Sequence, residues 1–307
     1  MDCILPIDIF HILHKKIDFK TKLNLMATCK YFEQQLPIRS LSDIGINKFT
    51  NNILKQKKYT NIKKLNLSKN YYHIDISHLT NLQSLNCNGT SITQKSIEKL
   101  NLRKLFLNNN TLINNISHMT NLIVLKMCGK SRIRQNLLDE LNLFELRCGI
   151  YIEAYNFSHM SNLKILYASH YRVNNESIKK LDLHELYIEG NVGITNIMHL
   201  RNLKILDITG NTNIIEIPSS VKKLFASFSA INQQSIKNLD LLELDVSYAP
   251  LVTNILHMTN LTKLSAVGDK CSLTNDSIPW NNLKDIDAYG NYNINVPMNM
   301  LIYNNHQ

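Results

Sequence analysis

Apolar residues along most of the chain fall in one recurring triplet. Leu102, Leu105 and Leu107 are followed by Leu122, Leu125 and Met127, by Leu143, Leu146 and Cys148, and by Leu163, Leu166 and Ala168. Leu183, Leu186 and Ile188 and then Leu203, Leu206 and Ile208 continue the series, at a period of 20 or 21 residues. The second and third members stand two residues apart, which on a strand puts both on one face. So short a unit has no core of its own, and each must bury that face against the next. First positions at Ile62, Leu82, Leu102, Leu122, Leu143, Leu163, Leu183, Leu203, Val221, Leu241, Leu261 and Leu283 make twelve such repeats.

The second halves alternate. One kind ends in a His-containing turn: ISHLTN from Ile76, ISHMTN from Ile116, FSHMSN from Phe157, IMHLRN from Ile197 and ILHMTN from Ile255. The other, over Ser91 to Leu100, Val173 to Leu181 and Ile231 to Leu239, places a cap-type residue (Thr93, Asn174 or Asn232) ahead of an Ile-x-x-Leu pair, which predicts a short helix. The result is a super-repeat of about 40 residues, whose spacing slips at Pro218 and Pro279.

Apolar first, fourth and sixth positions of a nine-residue unit, often with Asn at the ninth (Asn110, Asn191, Asn211), resemble the leucine-rich repeat. The fold class this implies is α/β. It is a leucine-rich-repeat solenoid over residues 61–307, with a parallel concave sheet and a convex side that alternates short helices with irregular segments. A small three-helix segment precedes it.

Residues 1–40 lack the repeat. Pro6 suits a first helical turn, and Ile9, Ile12 and Leu13 share one helical face. A second helix presents Leu23, Met26 and Ala27, and a third carries Tyr31 and Phe32. Leu5-Pro6, Ile9, Ile12, Leu13, Leu23, Met26, Cys29-Lys30 and the aromatic pair together resemble the F-box over residues 4–36. The usual Trp after the Cys is replaced by Tyr31-Phe32, and Asp8 stands where Glu is common. The resemblance implies docking on the Skp-type adaptor of a cullin-RING ubiquitin ligase, with Leu5, Pro6, Ile9, Leu13 and Leu23 as contacts. A helical cap over the first repeat is the other reading of the same residues. Residues 41–60 then form a connecting helix, with Ile46, Phe49, Ile53 and Leu54 at helical spacing.

Composition narrows the function. Neither a signal peptide nor a run of about 18 apolar residues is present, so a soluble cytoplasmic protein without membrane contact is expected. Of the formal charge of +10, residues 1–64 carry +7, from 12 Lys/Arg against 5 Asp/Glu. No regularly spaced aromatics accompany that basic segment, so a solvated helix is preferred to a nucleic-acid partner. Abundant Asn, Ile and Lys give the chain its likeness to the F-box/leucine-rich-repeat copies encoded by giant viruses of amoebae. The six cysteines form no C-x-x-C pair, and Cys87 and Cys148 occupy a core position. His78, His118, His159 and His199 recur two repeats apart, about 10 Å, far beyond what one zinc ion can bridge. Each is therefore expected to bond a neighbouring turn. CGKS at Cys128 to Ser131 has no first glycine to complete a phosphate loop, since Val124 stands there. With no catalytic constellation, neither an enzyme nor a cofactor is expected.

Function is then expected on the strand residues that alternate with the buried ones. Between the second and third apolar positions the row includes Phe106, Lys126, Arg147, Tyr167, Tyr187, Asp207 and Phe225. Aromatic residues beside Arg are enriched at binding hot spots, which marks these seven as the target-binding concave face. The expectation is a monomeric F-box substrate receptor that brings an unidentified target protein to the ligase. The competing expectation is a scaffold that binds a partner without a ligase.

Overall fold

The computed structural model describes residues 21, 24–25, 38–41, 50–56, 59–68, 70, 72–149, 156–169 and 173–297. The F-box-like contacts Leu5, Pro6, Ile9, Leu13 and Leu23 lie outside the described residues, as do Ile46 and Phe49. Two compact units divide the chain, Met1–Asn121 and Leu122–Gln307.

Among its described residues the first unit holds four parallel strands, β1 (Ser40–Leu41), β2 (Lys64–Asn66), β3 (Ser84–Asn86) and β4 (Lys104–Phe106), each paired with the next. Leu41, Leu65, Leu85 and Leu105 stand in register and point into the core. The first strand lies ahead of the first repeat read from the triplets, whose sheet therefore begins before residue 61. Helices α1 (Asn51–Leu54) and α2 (Gln94–Ile97) belong to this unit.

The described residues of the second unit hold nine: β5 (Val124–Met127), β6 (Glu145–Cys148), β7 (Ile165–Tyr167), β8 (Glu185–Tyr187), β9 (Ile205–Asp207), β10 (Lys223–Phe225), β11 (Glu243–Asp245), β12 (Lys263–Ser265) and β13 (Asp285–Asp287). All pair in parallel with their sequence neighbours in this unit. Its helices are α3 (Gln135–Leu138), α4 (Asn175–Ile178) and α5 (Gln233–Ile236). Within one repeat Leu183, Leu186, Ile188, Ile194, Ile197 and Leu200 are all fully buried. Burial of each such side chain contributes about 1.5–3 kcal/mol.

Helices α2, α4 and α5 form where the cap residues predict them. Asn174 and Asn232 close capping boxes on their helices, whereas Thr93 makes no side-chain bond to the backbone of α2. The sequence pattern does not predict α3, because Arg134 occupies its N-cap and supplies no acceptor.

Each helix is held at both ends by the repeat that follows. At its start, an amide side chain bonds backbone one repeat on: Gln94 Oε1 accepts from the N–H groups of Asn114 and Asn115, and its Nε2 donates to the Asn115 carbonyl. Gln135 does the same with Asn156, and Gln233 with Asn254. At its end, a His closes the last carbonyl. His78, His118, His159, His199 and His257 each set Nε2 3.0–3.2 Å from the carbonyl oxygen of Leu54, Ile97, Leu138, Ile178 or Ile236. A carbonyl only accepts, so Nε2 carries the proton. The recurrent His is thus a cap on a neighbour's helix.

After β8 and β9 the turn passes through one left-handed residue, Gly190 or Gly210, and then a buried ninth-position Asn. Asn191 donates to the carbonyls of Ala168 and Val173, both at 3.1 Å, and accepts from Gly193 and Ile194, both at 2.8 Å. Asn is required there because one short side chain must supply donors to the preceding repeat and an acceptor to its own turn. Thr90 and Ser229, at equivalent places, donate back to the Cys87 and Ala226 carbonyls, and Thr90 also accepts from the Ile92 N–H at 3.5 Å.

A candidate protein-binding face

Strand register sets the candidate residues side by side. In the second unit Lys126 pairs with Arg147, Arg147 with Tyr167, Tyr167 with Tyr187, Tyr187 with Asp207, and Asp207 with Phe225. All six are half-buried, between neighbours that point into the core. Phe106 occupies the equivalent place on β4 of the first unit, paired with Asn86.

The ordinary occupant of this position has a structural task. Wherever it is Asn or Asp, the side chain accepts from the backbone N–H two residues on: Asn66 from Ser68, Asn86 from Asn88, Asp207 from Thr209, Asp245 from Ser247 and Asp287 from Tyr289, at 2.9–3.1 Å. This is the Asx turn, in which the side chain mimics a backbone acceptor. Asp207 thus closes its own turn with one carboxylate oxygen, and its charge remains on the face. Four consecutive strands, β5 to β8, replace this residue by Lys126, Arg147, Tyr167 and Tyr187, none of which carries an Asx acceptor.

What they build instead is a stacked ladder. The Arg147 guanidinium carbon lies 3.6 Å from the Tyr167 ring centroid. Tyr167 and Tyr187 stack with centroids 3.9 Å apart and planes within 2°. Both distances are shorter than the roughly 4.8 Å between strands, so the side chains lean together. Glu145 binds the cationic end, its Oε1 3.0 Å from both Lys126 Nζ and Arg147 Nε. Burial raises the Glu145 pKa, but the bonds from Lys126 and Arg147 outweigh it and hold the carboxyl below its usual range. At the other end the Tyr187 hydroxyl donates to Glu185 at 2.9 Å. Burial, with hydrogen bonds to Tyr167 and Glu185, raises the Tyr187 pKa and keeps that phenol protonated.

Gly149 follows β6 at close quarters with the preceding turn. A Cβ there would sit 2.6 Å from the Gly129 nitrogen and 2.7 Å from the Cys128 Cα, both rigid backbone atoms. Nearby, Cys148 is buried, donates to the Tyr167 carbonyl, and has its thiol pushed up to about 12 by burial. Cys87 behaves alike. These thiols are core residues.

The pattern reading overlooked Glu145, which organises the cationic end from the flanking row. Its signal is a lone acid placed diagonally between two basic residues of the central row. Among the described residues no group of three or more His, Cys, Asp or Glu is placed to hold a metal ion, and no helix is long and apolar enough to cross a membrane.

No family model and no curated protein matches the sequence. Solved structures do. A leucine-rich-repeat protein of Leptospira interrogans aligns at 17% identity and a TM-score of 0.53, covering 87% of this chain and 82% of its own. An internalin of Listeria monocytogenes aligns at 20% identity and a TM-score of 0.47, covering 83% and 88%. At such identity the likeness to the Leptospira protein is one of architecture, and the architecture is that of a leucine-rich-repeat protein.

Proposed function

We propose that the chain captures a target protein on the Lys126–Arg147–Tyr167–Tyr187 face and presents it to a cullin-RING ubiquitin ligase through an F-box-like N-terminal segment. The observation that carries target capture is the stacked Arg147-Tyr167-Tyr187 ladder, with Lys126 beside it, built where Asn or Asp elsewhere closes an Asx turn. A local rule given up without a gain in the turn itself marks a place where something other than folding is served. Planar, half-buried aromatic and Arg side chains supply large contact area at small entropy cost.

The ligase half of the reading rests on the F-box resemblance of residues 4–36. On that resemblance Leu5, Pro6, Ile9, Leu13 and Leu23 contact the Skp-type adaptor. The proposed activity is cytoplasmic, in the host cytoplasm if the chain is viral, as its resemblance to giant-virus copies implies. A second reading, a ligase-independent scaffold with an N-terminal cap, is favoured by β1, which pairs Ser40 and Leu41 onto β2 ahead of the repeats.

Co-purification of the full chain with a Skp-type adaptor separates the two. The receptor reading expects adaptor binding that is abolished by Leu5→Ala with Pro6→Ala, while thermal unfolding of the repeats stays nearly unchanged. No adaptor bound by the intact chain sinks it, and a large loss of stability in the double variant supports the cap.

A further inference from the structure

Beyond the strands of the second unit, the left-handed turn position forms a second row along the repeats: Gly190, Gly210, Phe228, Tyr248, Gly268 and Gly290, all at positive φ. Bulky side chains rarely adopt that conformation, yet Phe228 (φ 54°) and Tyr248 (φ 56°) do so in consecutive repeats. Their rings stack with centroids 4.4 Å apart. The stack is closed on one side, because the Tyr248 ring lies so close over Gly268 that a Cβ there would fall 2.3 Å from it. On the other side it is open: Phe228 is 58% exposed, and only the Gly190 backbone comes within 4 Å of where a Gly210 side chain would begin. Gly190 and Gly210, whose N–H groups donate to the Thr209 and Ser227 carbonyls, thus leave a bare floor leading up to an aromatic wall.

The strand and turn positions of the repeats beside this slot are predominantly acidic. On the strand and turn positions of the repeats containing β8 to β11 stand the half-buried Glu185, Asp207, Glu243 and Asp245 and the exposed Glu189. The one cation among those positions, Lys223, is paired with Glu243 at 2.6 Å. A planar group carrying positive charge fits such a place: it stacks on the ring and meets carboxylates at its edge, as a guanidinium does and a compact ammonium does less well.

We infer that the Phe228 slot is a docking site for an arginine side chain of a partner protein, separate from the Tyr167–Tyr187 ladder. Backbone strain held by two aromatics in a row that otherwise uses glycine is what a binding position retains.

The test titrates the full-length chain with the blocked tripeptide acetyl-Gly-Arg-Gly-amide and with its lysine and citrulline counterparts, following the Gly190 and Gly210 amide resonances. The arginine peptide should shift both saturably, and the lysine peptide should bind at least about fivefold more weakly. The uncharged citrulline peptide should leave both resonances in place. Phe228→Gly suits the positive φ, so it folds, and it should abolish the arginine response; Glu189→Gln should weaken it. Tyr167→Ala should leave this titration intact while disabling target capture, so the two sites fail separately. Equal binding of arginine and lysine, a citrulline response, or shifts that survive Phe228→Gly would each overturn the assignment.

Discussion

His199 and Ile178 are joined across a repeat boundary: Nε2 of the imidazole lies 3.1 Å from the carbonyl oxygen of Ile178, the last residue of α4. The bond satisfies one of the carbonyls that a helix end leaves open. It couples a helical repeat to the irregular one after it. His199→Ala should cost about 1–2 kcal/mol in a urea unfolding experiment, the penalty for stranding a half-buried carbonyl. The proton on Nε2 should also be visible by nitrogen NMR as the ε tautomer. A neutral effect of the substitution, or the δ tautomer, would remove the imidazole from the clamp.

Asn191 makes a sharper demand on its site. Two donor bonds to the preceding repeat and two acceptor bonds to its own turn depend on a single fully buried amide. Asn191→Ala leaves several polar groups unpaired, and we expect a loss of about 3 kcal/mol or more. Conversely, Thr90→Asn places an amide where a hydroxyl now donates to the Cys87 carbonyl and accepts one long bond from the Ile92 N–H, and should raise the urea midpoint. An unchanged midpoint in both variants would mean that water replaces the amide at no cost.

Much of this was legible in the chain, and for identifiable reasons. The triplets reveal the strands because a period of two and a repeat length of about twenty leave one way to bury Leu183, Leu186 and Ile188. The His turns are legible as structural because spacing forbids a shared ion. Helix α3 is not, since Arg134 lacks a capping acceptor and the helix depends on Gln135 reaching Asn156 in the next repeat. Alternation puts Asp207 and Tyr187 in one row, but whether a side chain faces its own backbone or the solvent is a local choice. Which members of the row also close an Asx turn is therefore hidden. The strained pair Phe228 and Tyr248 shows in sequence only as a departure at one turn position, which carries meaning once that position is known to be left-handed.

Glu145 gives the face a pH dependence of known sign. Burial raises its pKa, the bonds from Lys126 and Arg147 outweigh that, and the folded value lies below the ordinary 4.5. A carboxyl depressed by folding stabilises the native state above its unfolded pKa, and that contribution is lost as pH falls through the folded value. Between pH 5 and 3 the wild type should therefore lose stability more steeply than Glu145→Gln. The same substitution at pH 7 releases two cations onto the face. Parallel pH profiles for the two proteins would show that the carboxylate is not coupled to the pair.

The tyrosines test the target site itself. Tyr167 and Tyr187 stack on each other and Arg147 covers the free side of Tyr167, so truncating either ring breaks the ladder without opening the core behind it. Aromatic anchors in a well-packed interface are each worth about 2 kcal/mol or more, roughly a thirtyfold change in affinity. Exposed rim charges such as Lys64 are worth about 0–1 kcal/mol. Tyr167→Ala and Tyr187→Ala should therefore each weaken target capture at least about tenfold. Lys64→Ala should change it little, and none of the three should cost more than about 1 kcal/mol in unfolding. Arg147→Lys adds a second reading of the same surface. It keeps the charge near Glu145 but removes the plane that lies on Tyr167, and a lysine does not substitute for a stacked guanidinium. Capture should fall between the wild type and the tyrosine variants. If capture ignores both tyrosines and Arg147 and is lost instead when the His turns on the opposite side are altered, the target binds elsewhere.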